Sequence, residues 1–131
     1  MATDSENGQG EMPQPAADTA GPELARGRCL VFGASGYIGS HLVPRLLAEG
    51  LAVRASARDG VVLAARGWAG AELVAADALA PASLGPALAG VEVAYYLVHS
   101  MAAGKDFGRL DRIAAANFAT AAAAAGVRRI V

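Results

Sequence analysis

The sequence predicts an α/β protein, a doubly wound parallel sheet of strand order 3-2-1-4-5 that is truncated after its fifth strand. Three observations predict it. Short apolar runs alternate with stretches of helical spacing along residues 28 to 131. The run "VEVAYYLVHS", 91 to 100, is hydrophobic almost without interruption, as a parallel strand covered on both faces is. Three glycines at intervals of three in "RCLVFGASGYIGSHL", 28 to 42, stand where a first strand meets a first helix.

Each element has its own reason. Cys29 to Phe32 is short, apolar and ends on an aromatic, which suits a buried strand. From Tyr37 onward Ile38, Leu42, Leu46 and Leu47 recur at helical spacing, and Gly50 supplies a stop. Pro44 falls inside that helix and removes one backbone hydrogen bond, so a kink near Ser40 is expected rather than a break. "LAVRASA", 51 to 57, reads as the second strand. Asp59, Gly60, Gly67 and Gly70 then bound a short helix around "VVLAAR", and "AELVAAD", 71 to 77, is the third strand. "PASLGPALAG", 81 to 90, opens with a helix-compatible proline, but Pro86 keeps that helix short and imperfect.

After the fourth strand, at 91 to 100, the residues Phe107, Leu110, Ala114, Phe118, Ala121 and Ala125 recur at three and four. Asp106 is placed as N-cap and Gly126 as stop. "VRRIV", 127 to 131, opens a fifth strand on which the sequence ends. Residues 28 to 131 are therefore expected to form an incomplete domain, an N-terminal fragment of a larger unit. Residues 1 to 27, rich in Pro, Gly, Asp and Glu with little to bury, are expected to be a disordered tail.

The glycine turn carries the chemistry. Gly33, Gly36 and Gly39 can meet three needs: a tight turn, a backbone that touches a ligand, and close packing of helix on strand. The first-turn N–H groups of the helix lack intrahelical partners, and the helix dipole adds partial positive charge there, so an anion such as a phosphate suits the turn. The spacing is G-x-x-G-x-x-G rather than G-x-G-x-x-G, and an ordinary tight turn remains the alternative. The flanking strand, helix and second strand, within one unit of about 30 residues, favour phosphate.

Composition narrows the classes. The chain has 131 residues, 54% hydrophobic and 18% charged, which suffices for one cored domain. Residues 1 to 27 carry five acids and one Arg, net −4, and residues 28 to 131 seven acids and ten bases, net +3, which together give the net charge of −1. A mildly cationic folded part is compatible with an anionic ligand, and the overall balance argues against a nucleic-acid binder. Cys29 is the single cysteine, so no internal disulfide forms. A reducing, cytoplasmic setting is the simpler expectation, and Cys29 itself reads as a small buried hydrophobe. No secretory signal or convincing membrane span is read in the chain. His41 and His99 have no Cys or carboxylate at ligand-like spacing, so no metal site is expected.

As a set, "VFGASGYIGSHLV", "LAVRASAR", "VAADALAPASL", "VEVAYYLVHSM" and "NFATAAAAAGVRRIV" resemble the atypical, NmrA-like and epimerase-like members of the short-chain dehydrogenase/reductase superfamily, over about residues 28 to 131. "YYLVHSM" is similar to one oxidoreductase-like branch in particular. The resemblance implies a Rossmann-type domain that binds NAD or NADP at the carboxyl ends of its strands. By position it implies that Gly33, Ser35, Gly36, Tyr37 and Ile38 line the pyrophosphate, that Asp77 and Ala78 border the adenine, and that Leu97, Val98 and His99 approach the nicotinamide-side ribose. Asn117 resembles the helical Asn that supports the active site in this superfamily, with a capping amide as the alternative. For His99 the alternative is a hydrogen-bonded structural residue.

The departure from the family concerns catalysis. Its catalytic members use a Tyr followed four residues later by Lys. Here Tyr37, Tyr95 and Tyr96 are followed at that offset by His41, His99 and Ser100, so no catalytic residue is assigned and turnover by this chain alone is not expected. Tyr95 and Tyr96 read instead as strand residues with one ring on each face.

Cofactor choice rests on the end of the second strand, "VRASARDG". In the family's register Ala57 stands where an acid would hold the ribose hydroxyls of NAD, and Arg58 and Arg54 are the candidate partners of a 2′-phosphate. NADP is therefore the expected cofactor, with NAD as the alternative, and Asp59 serves a ribose if the loop shifts. The expected function is an NADP-preferring dinucleotide-binding domain of an oxidoreductase-like protein. A non-catalytic NADP-sensing regulator acting through protein partners and a nucleotide-sugar epimerase fragment are the alternatives.

Overall fold

The computed structural model describes residues 27 to 98 and 107 to 131. The expected tail, His99 and the Asp106 cap lie outside the described residues, apart from Gly27. Strands β1 (Arg28–Phe32), β2 (Val53–Ala57), β3 (Glu72–Ala75), β4 (Val91–Tyr96) and β5 (Arg129–Ile130) pair in parallel in the order β3-β2-β1-β4-β5. The connections carry helices α1 (Tyr37–Ala48), α2 (Gly60–Ala65), α3 (Leu84–Leu88) and α4 (Phe107–Ala125), and a 3-10 turn at Pro81–Ser83 leads into α3. The expected architecture and strand order are those observed.

Period-two alternation in the central strand divides the interior into two cores. Leu30 and Phe32 of β1 face Leu84, Leu88, Ala114 and Phe118 from α3 and α4. Cys29 and Val31 face Val43, Leu46 and Leu63 from α1 and α2. A strand buried on both sides has no polar face to show, which is why β1 reads as a continuous apolar run. Tyr95 and Tyr96 go to opposite cores, as their adjacency demands. Tyr96 stacks on Phe32 at a centroid distance of 5.9 Å, and Phe118 of α4 closes the cluster at 4.8 Å from Phe32 and 4.7 Å from Tyr96.

Two local readings are refined. Helix α1 runs unbroken through Pro44, which is exposed, so the carbonyl of Ser40 that loses its donor can turn to water. In α4 the buried stripe is Ala114, Phe118 and Ala122, while Ala121 lies at its margin and Ala125 is exposed. The third and fourth strands end earlier than their apolar runs: Ala76, Asp77, Leu97 and Val98 follow the strands and line a cleft at the carboxyl edge of the sheet, with Ala76 and Leu97 still bonded to Ala57 O and Phe32 O.

Candidate functional site

That edge holds a cleft of about 400 Å³ lined by the end of every strand from β1 to β4. Phe32, Gly33, Ser35, Gly36 and Tyr37 come from the turn between β1 and α1, and Ala57 and Arg58 from the end of β2. Ala76, Asp77 and Ala78 follow β3, and Leu97 and Val98 follow β4. The chain departs from β1 to β2 on one side and later to β4 on the other, so the crossovers diverge here and leave a crevice. A smaller cavity of about 210 Å³ at the amino ends, lined by Gly27, Arg28, Cys29, Leu51, Glu92 and Tyr95 among others, has no helix start among its lining residues.

The three glycines of the turn have three separate reasons. Gly33 has φ +93°, and a Cβ there would stand 3.0 Å from the carbonyl carbon of Leu97 and 3.1 Å from Val98 Cγ2, so both conformation and space require glycine. At Gly39 a Cβ would lie 2.6 Å from Ala34 Cα and 2.8 Å from the carbonyl oxygens of Ala34 and Gly33, which makes it the contact of helix on strand. Gly36 is different. Its φ of −77° suits any residue, and a Cβ would meet only Gly33 O, at 3.6 Å. The protein leaves that space empty, and a ligand backing onto the turn is what a side chain would obstruct.

Gly36 is also the N-cap of α1. It offers no side-chain acceptor to the first-turn N–H groups, and that turn contains no acid. These donors and the positive end of the helix dipole therefore face the cleft without a competitor. The turn itself is pinned from below, because Gly33 N–H and Ala34 N–H both donate to Ser56 O, at 2.8 and 2.9 Å. From the α2 side the guanidinium of Arg66 donates through Nη2 to Ser35 O at 2.6 Å. The opposite wall is fixed as firmly. Asp77 Oδ1 accepts from Leu79 N–H at 2.9 Å, the Asp77 N–H donates to Ser83 Oγ at 2.9 Å, and Asn117 Nδ2 donates to Ala78 O at 2.8 Å.

Of the residues singled out in the sequence, Gly33, Ser35, Gly36, Tyr37, Arg58, Asp77, Ala78, Leu97 and Val98 meet in this cleft. Ile38 is not among its lining residues: its side chain is exposed, and its backbone N–H belongs to the first turn of α1. Arg54 is placed elsewhere, which corrects its assignment to the site. Four residues of strand separate it from Arg58, roughly 13 Å at the rise of an extended chain. Its buried guanidinium donates to the carbonyls of Pro86, Ala87 and Ala89 and to Glu72 Oε1. Arg58, by contrast, is exposed at the cleft, and no acceptor among the described residues engages it. Asp59 is the N-cap of α2, where Oδ1 accepts from Val61 N–H at 2.9 Å and Val62 N–H at 3.4 Å.

Sequence reasoning missed Arg66 and assigned Asn117 only in general terms, since each acts on backbone more than thirty residues away. Burial pushes the Cys29 thiol up, and burial followed by the charge of Asp111 pushes the Tyr96 phenol up, so both stay protonated at neutral pH. Among the described residues no group of three or more His, Cys, Asp or Glu could hold a metal ion, and no helix is long and apolar enough to cross a membrane.

A crevice at the switch point of a parallel sheet, with an uncapped helix start and an empty glycine cradle, defines a dinucleotide-binding domain of the Rossmann type. The chain belongs to the NAD(P)H-binding family, whose model matches residues 33–131. It is similar to the Citrobacter sp. triphenylmethane reductase, at 28% identity and a TM-score of 0.70 over 79% of this chain and 35% of that one. The same reductase complexed with NADP(H) matches at 28% identity and 0.65, over 78% and 35%. A short-chain dehydrogenase/reductase superfamily protein from Agrobacterium tumefaciens with bound NAD matches at 26% identity and 0.65, over 79% and 31%. The chain thus spans about a third of the length of these structures. No curated protein sequence matches it.

Proposed function

We propose that this chain binds NADP(H) in preference to NAD(H), as the cofactor-holding part of an oxidoreductase-like protein. The observation that carries the preference is the end of β2. Ala57 leaves no carboxylate for a ribose diol, and Asp59 already caps α2. Arg58 stands exposed at the cleft, and no acceptor among the described residues engages it. A guanidinium gains two charge-assisted hydrogen bonds from a phosphate and little from a neutral diol. The cradle fits the rest of the group: the turn at Ser35 to Ile38 would hold the pyrophosphate, Asp77 and Ala78 would border the adenine, and Leu97 and Val98 would lead toward the nicotinamide side. When bound, the nicotinamide supplies or accepts a hydride. No Tyr-x-x-x-Lys occurs in the chain, so the role proposed for its residues is to bind and orient the cofactor.

The test is calorimetric titration of NADPH and NADH into the wild type and Arg58→Ala. NADPH should bind the wild type more tightly, and the substitution should weaken NADPH by about 1.5–3 kcal/mol while barely changing NADH. Equal losses for both cofactors, or tighter NADH binding at the outset, would show that Arg58 does not read a 2′-phosphate.

A further inference from the structure

The bond from Arg66 to Ser35 joins two elements that otherwise have separate roles. Arg66 is the C-cap residue of α2, and its guanidinium reaches the carbonyl of Ser35, 31 residues earlier, at 2.6 Å. Ser35 and Gly36 flank one peptide bond, and both line the cleft, whereas Arg66 does not. In a planar trans peptide the C=O and the following N–H point in opposite directions. A carbonyl held by Arg66 therefore fixes the N–H of Gly36 as well, and that N–H lies 3.3 Å from Gly33 O, inside the turn. The Arg66 bond is the shorter of the two restraints on this peptide, since the Gly36 bond to Gly33 O is long at 3.3 Å and a peptide ahead of a glycine meets little steric resistance to rotation. Without the Arg66 bond the Ser35–Gly36 peptide would tilt, and the turn and the start of α1 would lose the fixed geometry that an anion needs.

We propose that Arg66 is a positioning residue: by bonding the carbonyl of Ser35 it braces the glycine turn from α2 and keeps the start of α1 placed for the pyrophosphate of either dinucleotide. The proposal rests on the reading of the cleft as a dinucleotide site but not on the preference for NADP(H). It also assigns α2 a role in binding, through a side chain outside the cleft.

Arg66→Gln and Arg66→Lys test it, with NADPH, NADH and adenosine 2′-monophosphate as probes and amide hydrogen exchange as a readout without ligand. In Arg66→Gln both dinucleotides should weaken to the same degree, by about tenfold, the weight of one charge-assisted hydrogen bond. Adenosine 2′-monophosphate, which has no pyrophosphate, should bind as before. Exchange of the amides of residues 33 to 39 should quicken in the free variant while that of β4 holds, which shows that the fold is intact. Arg66→Lys, which keeps a charged donor, should recover most of the affinity. An unchanged affinity for either dinucleotide, or a loss confined to NADPH and adenosine 2′-monophosphate, overturns the proposal. Wild-type protein that binds NADH as tightly as NADPH defeats the 2′-phosphate reading and leaves this test standing, whereas wild type that binds neither defeats both.

Discussion

At the carboxyl end of α3 three carbonyl groups converge on one buried guanidinium, whereas at the amino end of α1 the first-turn N–H groups meet no capping side chain. Arg54 Nη1 lies 3.2, 2.7 and 2.8 Å from the oxygens of Pro86, Ala87 and Ala89, and Nε lies 3.1 Å from Glu72. Glu72 in turn accepts from Arg28 at 3.0 Å, so the plug ties β1, β2, β3 and α3 together. Both helix ends begin with the same deficit of hydrogen-bond partners. One is satisfied inside the protein and has nothing left to offer a ligand. The other is left open at a cleft, beside a glycine for which the protein itself has no steric need. Of two arginines four residues apart, one is consumed by protein acceptors and holds the fold, and the other stands exposed at the cleft with no acceptor among the described residues.

The comparison is most exposed at Arg54. Arg54→Met keeps the apolar stem but leaves the three carbonyls without their donor, and should lower stability by about 3–4 kcal/mol in urea unfolding. The folded fraction should still bind dinucleotide as tightly as the wild type. A cost under about 1 kcal/mol would mean that water replaces the guanidinium and that the plug is not structural. Next comes the glycine that faces protein. The new methyl of Gly39→Ala would press on backbone atoms 2.6–2.8 Å away, and should cost about 2–3 kcal/mol as helix and strand separate. A melting temperature equal to that of the wild type would remove Gly39 from the contact.

The sharpest version of the comparison has the smallest effect on the fold. Gly36→Ser gives α1 the side-chain cap it lacks, in backbone geometry that serine adopts freely, and should leave stability equal or raise it by a few tenths of a kcal/mol. The same hydroxyl takes up first-turn N–H groups and fills the cradle, so NADPH and NADH should both weaken by about 2 kcal/mol. Thermal melts and titrations on one preparation would show stability and affinity moving in opposite directions. If they fall together, Gly36 serves the fold.

Much of this was legible in the chain. Alternation of apolar runs with helical spacing was enough for the sheet order, and the glycine spacing was enough to place the turn, because strand period, helix period and positive φ are preferences of short segments. Arg58, Gly33, Ser35, Gly36 and Tyr37 could be assigned to one cleft for the same reason: the ends of parallel strands must lie on one edge. The face of α4 that packs inward was less legible, since "AAANFATAAAAA" is apolar or small on every side and only contact with Phe32 and Tyr96 orients it. The polar partners were not legible at all. Whether Arg54 reaches a phosphate or a helix end, whether Arg66 is a free surface charge or a brace for Ser35, and which carbonyl Asn117 takes depend on what the folded sheet brings within hydrogen-bond distance. Sequence by itself determined the elements, their order and the edge where a ligand belongs, because local backbone preference and periodicity decide those. Only the tertiary structure decided which charges are consumed by the protein and which stand exposed at the cleft, because a side chain of several rotatable bonds finds its partner across the fold.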